Sequence, residues 1–159
     1  MDFHSLMEIM DKEIILYANM RELLAAKKLC IILNEVAKFP EIDAKILELT
    51  ERIKVINEER INITNGTNLN ITTLINYSKQ EAPKYTYKLE EYKRKLNKLS
   101  KEILELYKAN TELLEFGITI TDKSIQVIIG AFTPKKTNYS KYGKESGSNI
   151  GISTIVKEV

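Results

Sequence analysis

A chain of 159 residues can bury one modest core without disulfides or metals. Its single cysteine, Cys30, excludes an internal disulfide and a multi-cysteine zinc site. Its single histidine, His4, excludes a histidine metal cluster or a Ser-His-Asp triad within one chain. The net charge of +2 is too small for a dedicated nucleic-acid binder, and no window approaches the ~20 apolar residues that cross a bilayer.

From Phe3 to about Ala37, Leu6, Ile9, Met10, Ile14, Tyr17, Met20, Leu24 and Ile31 recur at helical spacing. Leu16, Leu23 and Cys30 widen that stripe, so this helix should touch two neighbours. Phe39-Pro40 predicts its end, because the residue before proline avoids the α region. Pro40 then opens a second helix to Asn62, with Ile42, Ile46, Leu49, Ile53, Ile56, Arg60 and Ile63 as a heptad seam. The turn-rich stretch Asn62 to Asn68 predicts a loop, and Thr72 to Lys79 a short helix anchored by Leu74, Ile75 and Tyr77.

Pro83 begins a third long helix with the longest seam: Tyr85, Leu89, Tyr92, Leu96, Leu99, Ile103, Leu106, Asn110, Leu113, Gly117 and Ile120. The polar Asn110 inside it is expected to fix register against a partner helix. Short connections make sequential helices antiparallel. The predicted fold is all-α: an antiparallel up-down-up three-helix bundle or coiled coil with a short connecting helix and a flexible C-terminal tail. Residues 1–130 form the bundle domain and 131–159 the tail, where Pro134, Gly143, Gly147 and Gly151 cluster. Counting helix lengths, the third helix should outrun the first near Phe116–Gly117. Ile118, Ile120, Ile125, Val127, Ile128, Ile129 and Phe132 then form an apolar overhang, which on a soluble chain predicts an interface.

Nothing converges into catalytic chemistry. His4 reads as a frayed terminal residue and Cys30 as a small buried hydrophobe. Glu58-Glu59 and Glu90-Glu91 are adjacent on helices and point to different faces. Gly143 to Gly147 lacks the spacing of a phosphate loop. Lys84 to Lys101, with Tyr85, Tyr87 and Tyr92 interleaved, reads as a solvated helix face broken by Glu90 and Glu91 rather than as a phosphate track. The expectation is a protein-binding protein: no enzyme, no cofactor, no metal, no nucleic acid and no membrane insertion. The lone cysteine and the absence of a basic-then-apolar leader predict the cytoplasm.

Three stretches and the tail carry a family resemblance. They are Leu16-Tyr17 through Lys27-Lys28, Asn70-Ile71-Thr72-Thr73-Leu74-Ile75, and Asn110-Thr111-Glu112-Leu113-Leu114-Glu115-Phe116, followed by Tyr139-Ser140-Lys141-Tyr142-Gly143-Lys144. In order and spacing the chain resembles the FlgN-type flagellar export chaperones. It departs from their pattern after Gly117, where Ile118-Thr119-Ile120-Thr121 replaces helix-favouring residues. The resemblance implies a chaperone that binds hook-associated proteins, prevents their premature assembly and delivers them to the flagellar export machinery. It implies client contacts in the late last helix and tail, here Leu113, Leu114, Phe116, Ile120, Tyr139, Tyr142 and Gly143. A structural coiled-coil adaptor or self-assembling scaffold, with the same seams buried between identical chains, is the alternative reading.

Overall fold

The computed structural model describes residues 1–64 and 70–132, together with the backbone of a two-residue antiparallel pairing, Asn138–Tyr139 with Glu145–Ser146. The fold is all-α, as the periodicities predict. Four helices follow in order: α1 Phe3–Ile32, α2 Phe39–Ile63, α3 Ile71–Glu81 and α4 Thr86–Phe132. Short 3-10 turns at Val36–Lys38 and Pro83–Tyr85 lead into α2 and α4. Contacts divide the chain into two compact units, Met1–Phe116 and Gly117–Val159.

Within the first unit, cross-helix pairs give the directions. Lys27 Nζ lies 2.6 Å from Asp43 Oδ1 and Arg60 Nε 3.8 Å from Glu13 Oε2, so α2 runs antiparallel to α1. The Tyr92 hydroxyl donates to the Met7 carbonyl (3.3 Å), Lys88 pairs with Asp11, Arg21 with Glu102, and Asn110 Nδ2 donates to the Leu24 carbonyl (3.0 Å). From the Met7–Tyr92 and Asp11–Lys88 pairs at one end to Arg21–Glu102 and Leu24–Asn110 at the other, residue numbers rise on both helices, so this part of α4 runs parallel to α1. The order is up, down, up. Asn110 is 4% exposed and ties α4 to the backbone of α1, the register role expected of it.

Two apolar clusters fill the unit. In one, Phe3, Leu6, Met7 and Met10 of α1 meet Leu74 and Ile75 of α3 and Leu89 and Tyr92 of α4. The Phe3 ring stacks on Tyr85, with centroids 5.5 Å apart. α3 begins one residue earlier than the spacing suggests, because the Asn70 side chain accepts from the Thr73 amide and caps it. In the other cluster, Leu16, Met20 and Leu24 pack on Leu49, flanked by Ile46, Ile53 and Ile56 of α2 and Ile103 and Leu106 of α4. Between the two clusters in sequence lies a polar layer, the buried Glu13 beside Arg60.

Three local expectations are corrected. α1 ends at Ile32, not near Ala37. Asn34 takes a left-handed backbone (φ 56°), its amide donates to the Ile31 carbonyl, and the Glu35 amide donates to the Cys30 carbonyl. This is a Schellman cap with asparagine in the left-handed position, and it stops the helix well before Pro40 can act. Phe39, directly before Pro40, is itself α-helical (φ −58°, ψ −48°) and opens α2. Proline sits in the first turn, where its missing N–H is not needed. Finally, His4 is no frayed residue. It lies in the first turn of α1, capped by Asp2, whose carboxylate accepts from the amides of His4 and Ser5. A hydrogen bond from the Ser5 hydroxyl, with those from the Ser5 and His4 amides, holds the Asp2 carboxyl below its ordinary range.

Candidate functional site

The predicted partner residues lie on α4 and beyond it. In the first unit, Leu113 and Leu114 are half-buried and Phe116 is 64% exposed. α1 ends in apolar residues that are equally open: Leu29, Ile32, Leu33 and Val36 are each 57–59% exposed. Leu29 and Ile32 lie within α1 on the side away from Cys30, and Leu33 and Val36 follow at and beyond the cap, where the chain turns at Asn34.

In the second unit, α4 continues from Gly117 to Phe132 through the β-branched run that departs from the expected pattern. The Thr121 hydroxyl bonds back to the Gly117 carbonyl (2.9 Å), so the polar end of that side chain is satisfied within the helix. Every residue from 115 to 131 is exposed. The polar residues Thr119, Asp122, Lys123 and Gln126 fall at i, i+3, i+4 and i+7, one helical face. The remaining arc holds Ile118, Ile125, Ile128 and Ile129 with Thr121 among them, and, farther round past Ser124, Ile120 and Val127.

Of the other predicted site residues, Tyr139 lies in the paired segment Asn138–Tyr139. Tyr142 and Gly143 lie outside the described residues, as does most of the tail expected to be flexible. The sequence reading named Val127 within the apolar overhang, although only Ile120 of that run among the partner residues, and it did not name the exposed apolar residues around the end of α1.

The other candidate chemistry is structural. Cys30 is buried, with its thiol 3.7 Å from Glu35 Oε2 inside the α1 cap. In the basic stretch of α4, Lys88 pairs with Asp11, Lys95 with Glu91, Lys98 with Glu102 and Lys101 with Glu105. Among the described residues no group of three or more His, Cys, Asp or Glu could hold a metal ion, and no helix is long and apolar enough to cross a membrane.

Residues 1–147 match the family model described as FlgN protein. No curated protein and no solved structure matches the chain.

Proposed function

Because the chain belongs to the FlgN family of flagellar export chaperones, we propose that it binds hook-associated proteins in the cytosol and hands them to the flagellar export machinery. The observation that supports this reading is the apolar arc of α4, six aliphatic side chains left 38–72% exposed along 118–129. A client helix with its own apolar stripe would lie along that arc, each hiding the other's aggregation-prone face until export.

Magnitudes suggest how tight such a complex is. Full burial of an aliphatic side chain is worth ~1.5–3 kcal/mol, so the half-exposed arc offers about 4–9 kcal/mol. Association costs about 4–15 kcal/mol in lost freedom before anything is gained. The arc alone is therefore a weak site. Useful affinity needs further contacts from Leu113, Leu114 and Phe116, and from Tyr139, Tyr142 and Gly143. A complex assembled from several modest contacts is also one that export can take apart.

Phe116→Asp and Ile120→Asp test the reading. A charge on a surface that must become dry should weaken calorimetric binding to the helical terminus of a hook-associated protein at least about tenfold, about 1.4 kcal/mol. Both side chains are solvent-exposed in the free chain, so melting should be unchanged. Unchanged affinity in both variants would remove this surface as the client site. A stable oligomer without client would favour the scaffold reading.

A further inference from the structure

Two exposed apolar side chains of α4 belong neither to the bundle core nor to the proposed client residues. Leu104 and Tyr107 are 66% and 62% exposed, beside the seam of Ile103, Leu106 and Asn110 that packs on α1. With the half-buried Thr111 and Leu114 they are spaced three and four residues apart, and the same spacing carries on through Ile118, Thr121, Ile125 and Ile128. α4 is one unbroken helix from Thr86 to Phe132, so these positions form a single heptad stripe, ~36 Å from end to end at the helical rise. Its two threonines are satisfied by their own helix. The Thr111 hydroxyl donates to the Tyr107 carbonyl (3.1 Å) and the Thr121 hydroxyl to the Gly117 carbonyl (2.9 Å). Both can therefore enter a dry seam without leaving a donor unmet.

The stripe matches itself when reversed. Laid antiparallel on a second copy about Phe116, Leu104 meets Ile128, Tyr107 meets Ile125, Thr111 meets Thr121 and Leu114 meets Ile118. Apolar falls on apolar and threonine on threonine throughout. The flank agrees: in that register Lys108 of each copy lies beside Asp122 of the other, two symmetric contacts of opposite charge. Within the chain Lys108 is engaged by Glu112 at 3.8 Å, with both side chains largely exposed, a contact that costs little to exchange. Glu115 meets its own copy at the two-fold axis, one like-charge contact that weakens the pairing. A parallel alignment also stacks like on like, but it sets Lys108 beside Ile103, Glu115 beside Asn110 and Asp122 beside Gly117, with no ion pair. A foreign helix requires only that this face be apolar. A two-fold interface requires in addition that the face complement itself, and this one does.

We infer that this α4 stripe is an interface for a second copy of the chain, paired antiparallel about Phe116 and oriented by the Lys108–Asp122 contacts. The pairing is isologous and closed, so it adds no further copies. One helix pair with Glu115 against Glu115 leaves little surplus over the cost of association, which makes the dimer reversible rather than a standing scaffold. It covers Ile118, Ile125 and Ile128, so a client docking on the α4 arc must displace the second copy. That consequence rests on the client reading; the dimer itself does not.

Sedimentation equilibrium of the full chain without client, from about 1 to 100 μM, should show a monomer–dimer equilibrium. Leu104→Asp with Tyr107→Asp should weaken it at least about tenfold, and because both side chains are exposed in the free chain the melting should be unchanged. Lys108→Asp should weaken the dimer, adding Asp122→Lys should restore it, and Glu115→Gln should tighten it. Phe116→Asp and Ile120→Asp, which test the client site, lie off the stripe and should leave the dimer intact, so the two readings fail separately. Mild oxidation reads the direction: protein carrying Thr111→Cys should cross-link to protein carrying Thr121→Cys but not to itself. A monomer at every concentration, a dimer indifferent to Leu104→Asp with Tyr107→Asp, no rescue by Asp122→Lys, or self-linking of the Thr111→Cys protein would overturn the inference.

Discussion

Glu13 is 8% exposed, and its cross-helix partner is Arg60, Nε to Oε2 3.8 Å, across the α1–α2 contact. At that separation and an effective dielectric near 20, the attraction is about 4 kcal/mol. Withdrawing each ion from water costs several kcal/mol. The balance is visible in Glu13 itself: burial pushes its carboxyl above the ordinary range, and Arg60 offsets only part of that push. The pair therefore should not repay its burial. Replacing both with apolar residues, Glu13→Leu with Arg60→Met, should leave stability unchanged or raise it by about 1–4 kcal/mol. Arg60→Met alone should cost about 3–5 kcal/mol, because a buried carboxylate loses its counter-charge. Urea unfolding followed by circular dichroism reads both, and melting should move ~2–4 °C per kcal/mol. The pH dependence has a definite sign. A carboxyl whose folded pKa is raised contributes stability that is complete below its unfolded pKa, about 4.3. That contribution is lost as pH rises through the folded value. Arg60→Met should steepen this loss, and the double variant should abolish it. A double variant less stable than either single one, or a slope indifferent to Arg60, would refute the reasoning.

Leu99 is 9% exposed while Ile53 is half-buried, so Leu99→Ala should cost ~2–5 kcal/mol and Ile53→Ala less, about 1–2 kcal/mol, by urea unfolding. Asn110 donates to the Leu24 carbonyl but its own Oδ1 is buried without a partner. Asn110→Ala should therefore cost about 1–3 kcal/mol, whereas Asn110→Leu should melt at or above the parent; if both lose equally, the hydrogen bond is not what holds that position.

The helices and their order were legible because heptad seams and loop lengths are local properties. Ile46, Leu49, Ile53 and Ile56 announce a buried face whatever they pack on, and they do meet α1 and α4. The helix ends were less legible, since caps rest on single side chains. Asn34 resembles any polar surface residue until its left-handed backbone is seen, and Pro40 attracted the boundary by a steric rule that Phe39 does not obey. Asp2 and Asn70 cap α1 and α3 by the same quiet means. Arg60 was read as a seam member, but not as half of a buried pair, because its partner Glu13 lies 47 positions away in the sequence on another helix.

The candidate sites show the deeper limit. An isoleucine that fills a core and one that awaits a partner have the same periodicity, because both belong to an apolar helical face. Ile14 and Ile15 are neighbours in sequence, yet Ile14 packs against the α1–α3–α4 cluster while Ile15 opens onto a groove between α1 and α2. Leu106 closes on α1, and Ile120, two heptads further on, is 48% exposed. What separates these residues is whether another helix reaches them, a question about lengths and stops rather than residue types. The helix stop at Asn34 and the extent of α4 therefore bear on which apolar residues are packed and which are exposed.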